Sequence, residues 1–141
     1  MIGKTYDEIN LGDVAQFSKT VTEADVILFS GITGDLNPAH IDETYAAGTF
    51  FKTRIAHGML SAGFVSAVLG MRLPGPGTIY LQQTLEFLAP VQIGNTVTAR
   101  AEVIEKIDAK KRVRLKTTCT DQKGTVVLTG EALVAPPRKP K

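Results

Sequence analysis

The 141 residues predict an α+β fold in which an antiparallel sheet wraps one buried helix. Three observations carry this expectation. Segment 58–72 sets Met59, Leu60, Phe64, Val65, Val68, Leu69 and Met71 among the small residues Ser61, Ala62, Gly63, Ser66, Ala67 and Gly70, so it is apolar or small on every side, as a buried helix is. Four segments rich in strand formers follow it, at 78–89, 95–107, 112–120 and 126–135, with short polar turns at 108–111 and 121–124. Within them Arg100, Glu102, Arg112, Arg114 and Lys116 alternate with apolar residues, which gives the sheet one wet and one covered face.

The elements before the helix follow from local chemistry. Residues 1–12 are of mixed polarity and lead into a strand at 14–21, where Val14, Phe17 and Val21 are spaced among polar residues. Thr22 caps a helix whose first turn carries Glu23 and Asp25, and Gly31 or Gly34 ends it. Residues 31–40 form a stiff, irregular connection, because Pro38 pushes Asn37 toward an extended backbone. A short helix at 42–47 stops at Gly48, and 49–54 is a connection with the adjacent aromatics Phe50 and Phe51. Residues 74–77, Pro-Gly-Pro-Gly, break the chain after the main helix. Leu85 to Pro90 reads as strand running into a Pro-bounded loop, with a turn at Gly94. The domain spans 1–135, and 136–141, with three prolines and three basic residues, is a flexible tail.

Composition narrows the function classes. The chain is long enough for one domain with a real core, and shares of 43% hydrophobic and 21% charged residues are those of a globular protein. A net charge of +2, without a basic stripe, argues against nucleic acid, and the apolar runs are too short to span a membrane. The N-terminus lacks the apolar core of a secretion signal. The one cysteine, Cys119, has no partner for a disulfide and no companions for a metal, so the expected setting is a reducing cytoplasm.

The chemistry concentrates in 31–40. Asp35 and His40 share a rigid bend, and an imidazole beside a carboxylate is the material of an acid/base pair. Asp-x-Asn-Pro is also ordinary turn chemistry, so the pair alone does not decide the matter. The run Phe-Ser-Gly-Ile-Thr-Gly-Asp-Leu-Asn-Pro-Ala-His at 29–40, however, resembles the hydratase motif of the MaoC-like (R)-specific enoyl-CoA hydratases: aromatic, small residue, Gly, Asp, any, Asn, Pro, aliphatic or small, His. A second block at 55–60, Ile-Ala-His-Gly-Met-Leu, resembles the start of that family's central helix, and the similarity extends over the whole chain in element order and length.

The resemblance implies the hotdog fold, a homodimer, and the small single-domain type that supplies polyhydroxyalkanoate synthesis. It implies reversible syn addition of water to a trans-2-enoyl-CoA, giving the (3R)-hydroxyacyl-CoA, with coenzyme A as part of the substrate and no further cofactor. By carry-over Asp35 and His40 handle the water, and the Gly58 amide at the helix start receives the developing enolate charge. Ser66 supports the site, Leu69 and Val134 line the acyl channel, and Asn37, in the substrate-binding loop, braces more than it touches. His57, just before a buried helix, is more often a hydrogen bonder of the helix end or core than a catalyst. Lys52, Arg54 and Arg72 are candidates for the phosphates of coenzyme A, since no glycine-rich phosphate loop is present. The same fold could instead carry a thioesterase, a dehydratase acting on acyl carrier protein, or a non-enzymatic acyl-CoA binder.

Overall fold

A computed structural model describes residues 1–140. Its six strands are β1 (Val14–Thr20), β2 (Ile79–Gln83), β3 (Glu86–Phe87), β4 (Thr96–Ile107), β5 (Arg112–Thr120) and β6 (Val126–Ala135). They form one sheet in the order β1-β4-β5-β6-β2, with β3 also on β6, and every pairing is antiparallel. The helices are α1 (Glu23–Thr33), α2 (Pro38–Ile41), α3 (Glu43–Ala47) and α4 (Gly58–Met71). Helix α4 lies across β4, β1, β5 and β6.

The alternation expected of the sheet is present. Val97, Ala99, Ala101 and Val103 on β4, with Val113, Leu115 and Cys119 on β5, are buried toward the helix. Phe17 of β1 meets Phe64 of α4 edge to face at 6.2 Å. Among the described residues no helix is long and apolar enough to cross a membrane.

Helix α4 differs from the expectation of burial all round. Ser61, Phe64, Val65, Val68 and Leu69, spaced by three and four, face the sheet and are buried. Gly63 and Ser66 face outward and are exposed. Small side chains made the segment look uniformly apolar, but only one of its faces meets the sheet.

Three further differences have local causes. Gly34, in the left-handed region at φ +80, ends α1, so Gly31 is an ordinary helical residue. Pro38 does not only stiffen the bend: it occupies the first turn of α2, where a missing N–H costs nothing, and Asn37 caps that turn by accepting from the Ala39 amide. The long strand expected at 78–89 is broken between β2 and β3, where the Thr84 carbonyl packs against Gly130 so closely that no side chain would fit there. At the C-terminus the first two residues of the expected tail pack onto the domain. Pro136 and Pro137 are buried, with Pro137 against Gly77, and Arg138 to Pro140 are exposed. Lys141 lies outside the described residues.

Candidate active site

The bend between α1 and α2 is held by its own polar groups. Thr33 Oγ1 donates to the Phe29 carbonyl and accepts from the Asp35 amide, and the Asp35 Oδ1 oxygen accepts from the Asn37 amide at 3.2 Å. These contacts fix the Asp35 side chain at an exposed position on a rigid support. One helical turn later His40 points inward and is 9% exposed. Its Nδ1 lies 2.7 Å from the Ile55 carbonyl, which can only accept, so Nδ1 carries the proton and Nε2 is the bare nitrogen.

The Ile55 strand piece is itself anchored. The Ile55 amide donates to the Ala39 carbonyl, and the Ala56 amide to the Val91 carbonyl at 2.7 Å. Arg54 Nε donates to the His40 carbonyl at 2.6 Å, while its Nη1 binds both carboxylate oxygens of Glu23 at 2.9 and 2.8 Å. Arg54, a candidate for a coenzyme A phosphate, is therefore a strut between α1 and the bend. Arg72 is likewise engaged: it donates to the Gln16 carbonyl and lies over the Phe17 ring. It also sits at the far end of α4, one helix length, roughly 20 Å, from Gly58. Lys52 is exposed on a left-handed backbone at φ 65.

The two histidines meet here. The rings of His40 and His57 stack with centroids 3.8 Å apart and 28° between planes. A carboxylate oxygen of Asp35 and one ring nitrogen from each histidine all fall within 4.8 Å of one another. That spread suits a single water held between Asp35 and His40, with bonds of about 2.8 Å to each. Three such ligands could also tempt a metal ion. Stacked rings, however, direct their in-plane lone pairs side by side and not at a common point, and His40 Nδ1 and His57 Nε2 already face carbonyl oxygens.

His57 leads directly into Gly58, the first residue of α4, and no side chain caps that helix start. The Leu60 amide donates to the His57 carbonyl at 3.0 Å, which leaves the Gly58 and Met59 amides without a partner among the described residues, at the positive end of the helix dipole. Two apolar cavities flank Met59, and the first of them opens on Gly58. The first, of about 530 Å³, is lined by Phe50, Phe51, His57, Gly58, Phe87 and Leu88 among others. The second, of about 560 Å³, is lined by Asp35, Ser66, Gly63, Tyr80, Gln83 and Leu85 among others. Met59 borders both. Burial pushes the Tyr80 hydroxyl up to about 12, so it remains protonated, and it donates to Gln83 Oε1.

Of the residues picked out from sequence, Asp35 and His40 are thus brought together beside Gly58, and Ser66 lines the Asp35 cavity. Asn37 caps α2 and braces the bend, and it lines neither cavity. Leu69 and Val134 are 1% and 0% exposed, packed in the core between α4 and the sheet, and neither lines these two cavities. Sequence reasoning gave no role to Phe87, Met59 or the Arg54 strut, and it favoured a bland role for His57. The available signal for His57 was its place at a helix start where a Ser, Thr, Asp or Asn is usual.

Residues 10–124 match the family model described as "MaoC like domain". The chain is 55% identical over 134 residues to the (R)-specific enoyl-CoA hydratase of Rhodospirillum rubrum, covering 95% of this chain and 92% of that protein. It is 42% identical to the protein of the same name from Aeromonas caviae, covering 92% and 96%. Among solved structures, the unliganded R-hydratase PhaJ1 from Pseudomonas aeruginosa superposes with a TM-score of 0.93 at 45% identity, over 97% of this chain and 88% of that one.

Proposed function

The chain belongs to the MaoC-like domain family, and on that footing we propose that it is an (R)-specific enoyl-CoA hydratase, a hydro-lyase adding water reversibly to trans-2-enoyl-CoA. The observation that carries this reading is the placement of the Asp35 carboxylate and the His40 ring within one water's reach of each other, beside the uncapped start of α4.

The mechanism follows from what each group offers. The thioester withdraws electrons from the double bond, so the β-carbon is electrophilic. A water held by the Asp35 carboxylate and the bare His40 Nε2 delivers its oxygen to that carbon as the pair takes up one of its protons. The π electrons move toward the thioester oxygen, where the Gly58 amide and the helix dipole stabilise the negative charge. The proton then returns from the same pair to the α-carbon. Hydroxyl and proton arrive from one face, so addition is syn, and the (3R) configuration, which the relatives' names give, requires that the pair face the side of the β-carbon from which attack yields that centre. The reaction needs no cofactor beyond the coenzyme A of the substrate.

The working unit in this reading is a homodimer. Ile79 on the edge strand β2 is 61% exposed, and Met59, Phe87 and Leu88 around the cavities are exposed as well, which a second copy would cover. The buried, unpaired Cys119 suits the reducing cytoplasm. The experiment is hydration of crotonyl-CoA, followed by loss of the enoyl thioester absorbance with free thiol measured in parallel. Loss of absorbance without thiol release supports the hydratase, whereas thiol release at the same rate would make it a thioesterase.

A further inference from the structure

His57 occupies the capping position of α4, yet its side chain gives that helix nothing. It reaches back across the site instead. Its Nε2 lies 3.0 Å from the Asp35 carbonyl, 22 residues earlier in the chain, and 3.2 Å from Ser30 Oγ. A carbonyl oxygen only accepts, so Nε2 carries the proton and Nδ1 is bare. Nδ1 is also buried without a hydrogen-bond partner among the described residues. The ring stacks on His40 at 3.8 Å and meets the Phe29 ring, tilted by 50°, at 4.7 Å. At 2% exposure it is almost wholly buried.

One imidazole therefore contacts the backbone of the acid, stacks on the catalytic ring and is covalently joined to the residue whose amide faces the substrate. A histidine serving only the core or the helix end would aim at the amides of α4 and would not bridge these three groups. We propose that His57 is a positioning residue that holds Asp35 and His40 in register with the Gly58 amide. The inference rests on the hydratase reading. Displacing a reacting group by about 1 Å is enough to cost on the order of 100-fold in rate, so a residue that sets this register controls turnover without touching substrate.

Two variants separate its parts. His57→Phe keeps a ring against His40 but removes the N–H to Asp35, and His57→Gln keeps an N–H at the position of Nε2 but removes the stack. With crotonyl-CoA, and with rates normalised to folded protein by near-ultraviolet circular dichroism, His57→Phe is expected to lose roughly 10- to 100-fold in kcat with KM within about twofold of wild type. His57→Gln is expected to regain at least about threefold over His57→Phe. On the unaltered protein, ¹⁵N-histidine NMR should find His57 protonated on Nε2 and His40 on Nδ1. A kcat for His57→Phe within about threefold of wild type, or a loss carried by KM alone, would overturn the proposal. So would the opposite tautomer at His57, a readout that needs no variant to fold. A wild-type protein that does not hydrate crotonyl-CoA would instead remove the hydratase reading itself.

Discussion

The ring of Phe87 fills the space that a side chain at position 58 would need: a Cβ built on Gly58 comes within 2.5 Å of Phe87 Cε1. The absence of a side chain at Gly58 thus lets an aromatic ring close over the helix start and leaves the amide facing the cavity. Phe87 is 52% exposed and can turn away, so Gly58→Ala should fold with little change in melting temperature. Displacing the ring and obstructing the amide should nonetheless cost at least about tenfold in kcat, since one oxyanion donor is typically worth 100- to 1,000-fold. Thermal melts and steady-state kinetics on the same preparation check both halves. A variant of full activity would show that the substrate oxygen binds elsewhere.

Arg54 offers a second test. Glu23 is well exposed, so the ion pair itself adds little. The donation from Arg54 Nε to the His40 carbonyl is the part that matters. Lysine cannot serve both partners, and Arg54→Lys should destabilise the protein by about 1–3 kcal/mol. It should lower kcat severalfold and leave KM for coenzyme A thioesters unchanged. A rise in KM at constant kcat would restore the phosphate-binding role.

Cys119 makes a prediction about pH. Its thiol is fully buried beneath α4, with Sγ 3.6 Å from the Ser61 carbonyl, and burial pushes it from the ordinary 9.0 up to about 12. The folded state thus holds this proton more tightly than the unfolded chain does. The associated stability is complete below pH 9 and is lost as pH rises toward 12. Native protein should not react with an aromatic disulfide reagent at pH 8, and one thiol should titrate after denaturation. Rapid labelling of the native protein would contradict the packing of α4 on β5.

Association is the fourth expectation. Sedimentation should give twice the chain mass, and Ile79→Glu, which puts a charge on the β2 edge, should shift the protein toward monomer. If the wild type sediments as a monomer at micromolar concentration, the dimeric unit is wrong.

Much of this arrangement is legible in the sequence because its signals are local. Strands β4, β5 and β6 follow from alternation and polar turns, and the Asp35/His40 pair follows from a motif confined to twelve residues. What escaped depends on contacts distant in the chain. The β2/β3 break is imposed by Gly130, some 46 residues away, and the orientation of His57 by a carbonyl at position 35. Leu69 and Val134 were carried over from a resemblance. Whether an apolar side chain at such a position faces a channel or the core is decided by packing and not by its identity.

The most direct measurement compares hydration of crotonyl-CoA by the wild type, Asp35→Asn and His40→Gln, with the configuration of the product determined. The wild type should form (3R)-hydroxybutyryl-CoA, and each variant should lose at least about 100-fold in rate while keeping its fold. A (3S) product would contradict the (R)-specific reading, and losses below about tenfold in both variants would contradict an acid/base pair working through one shared water.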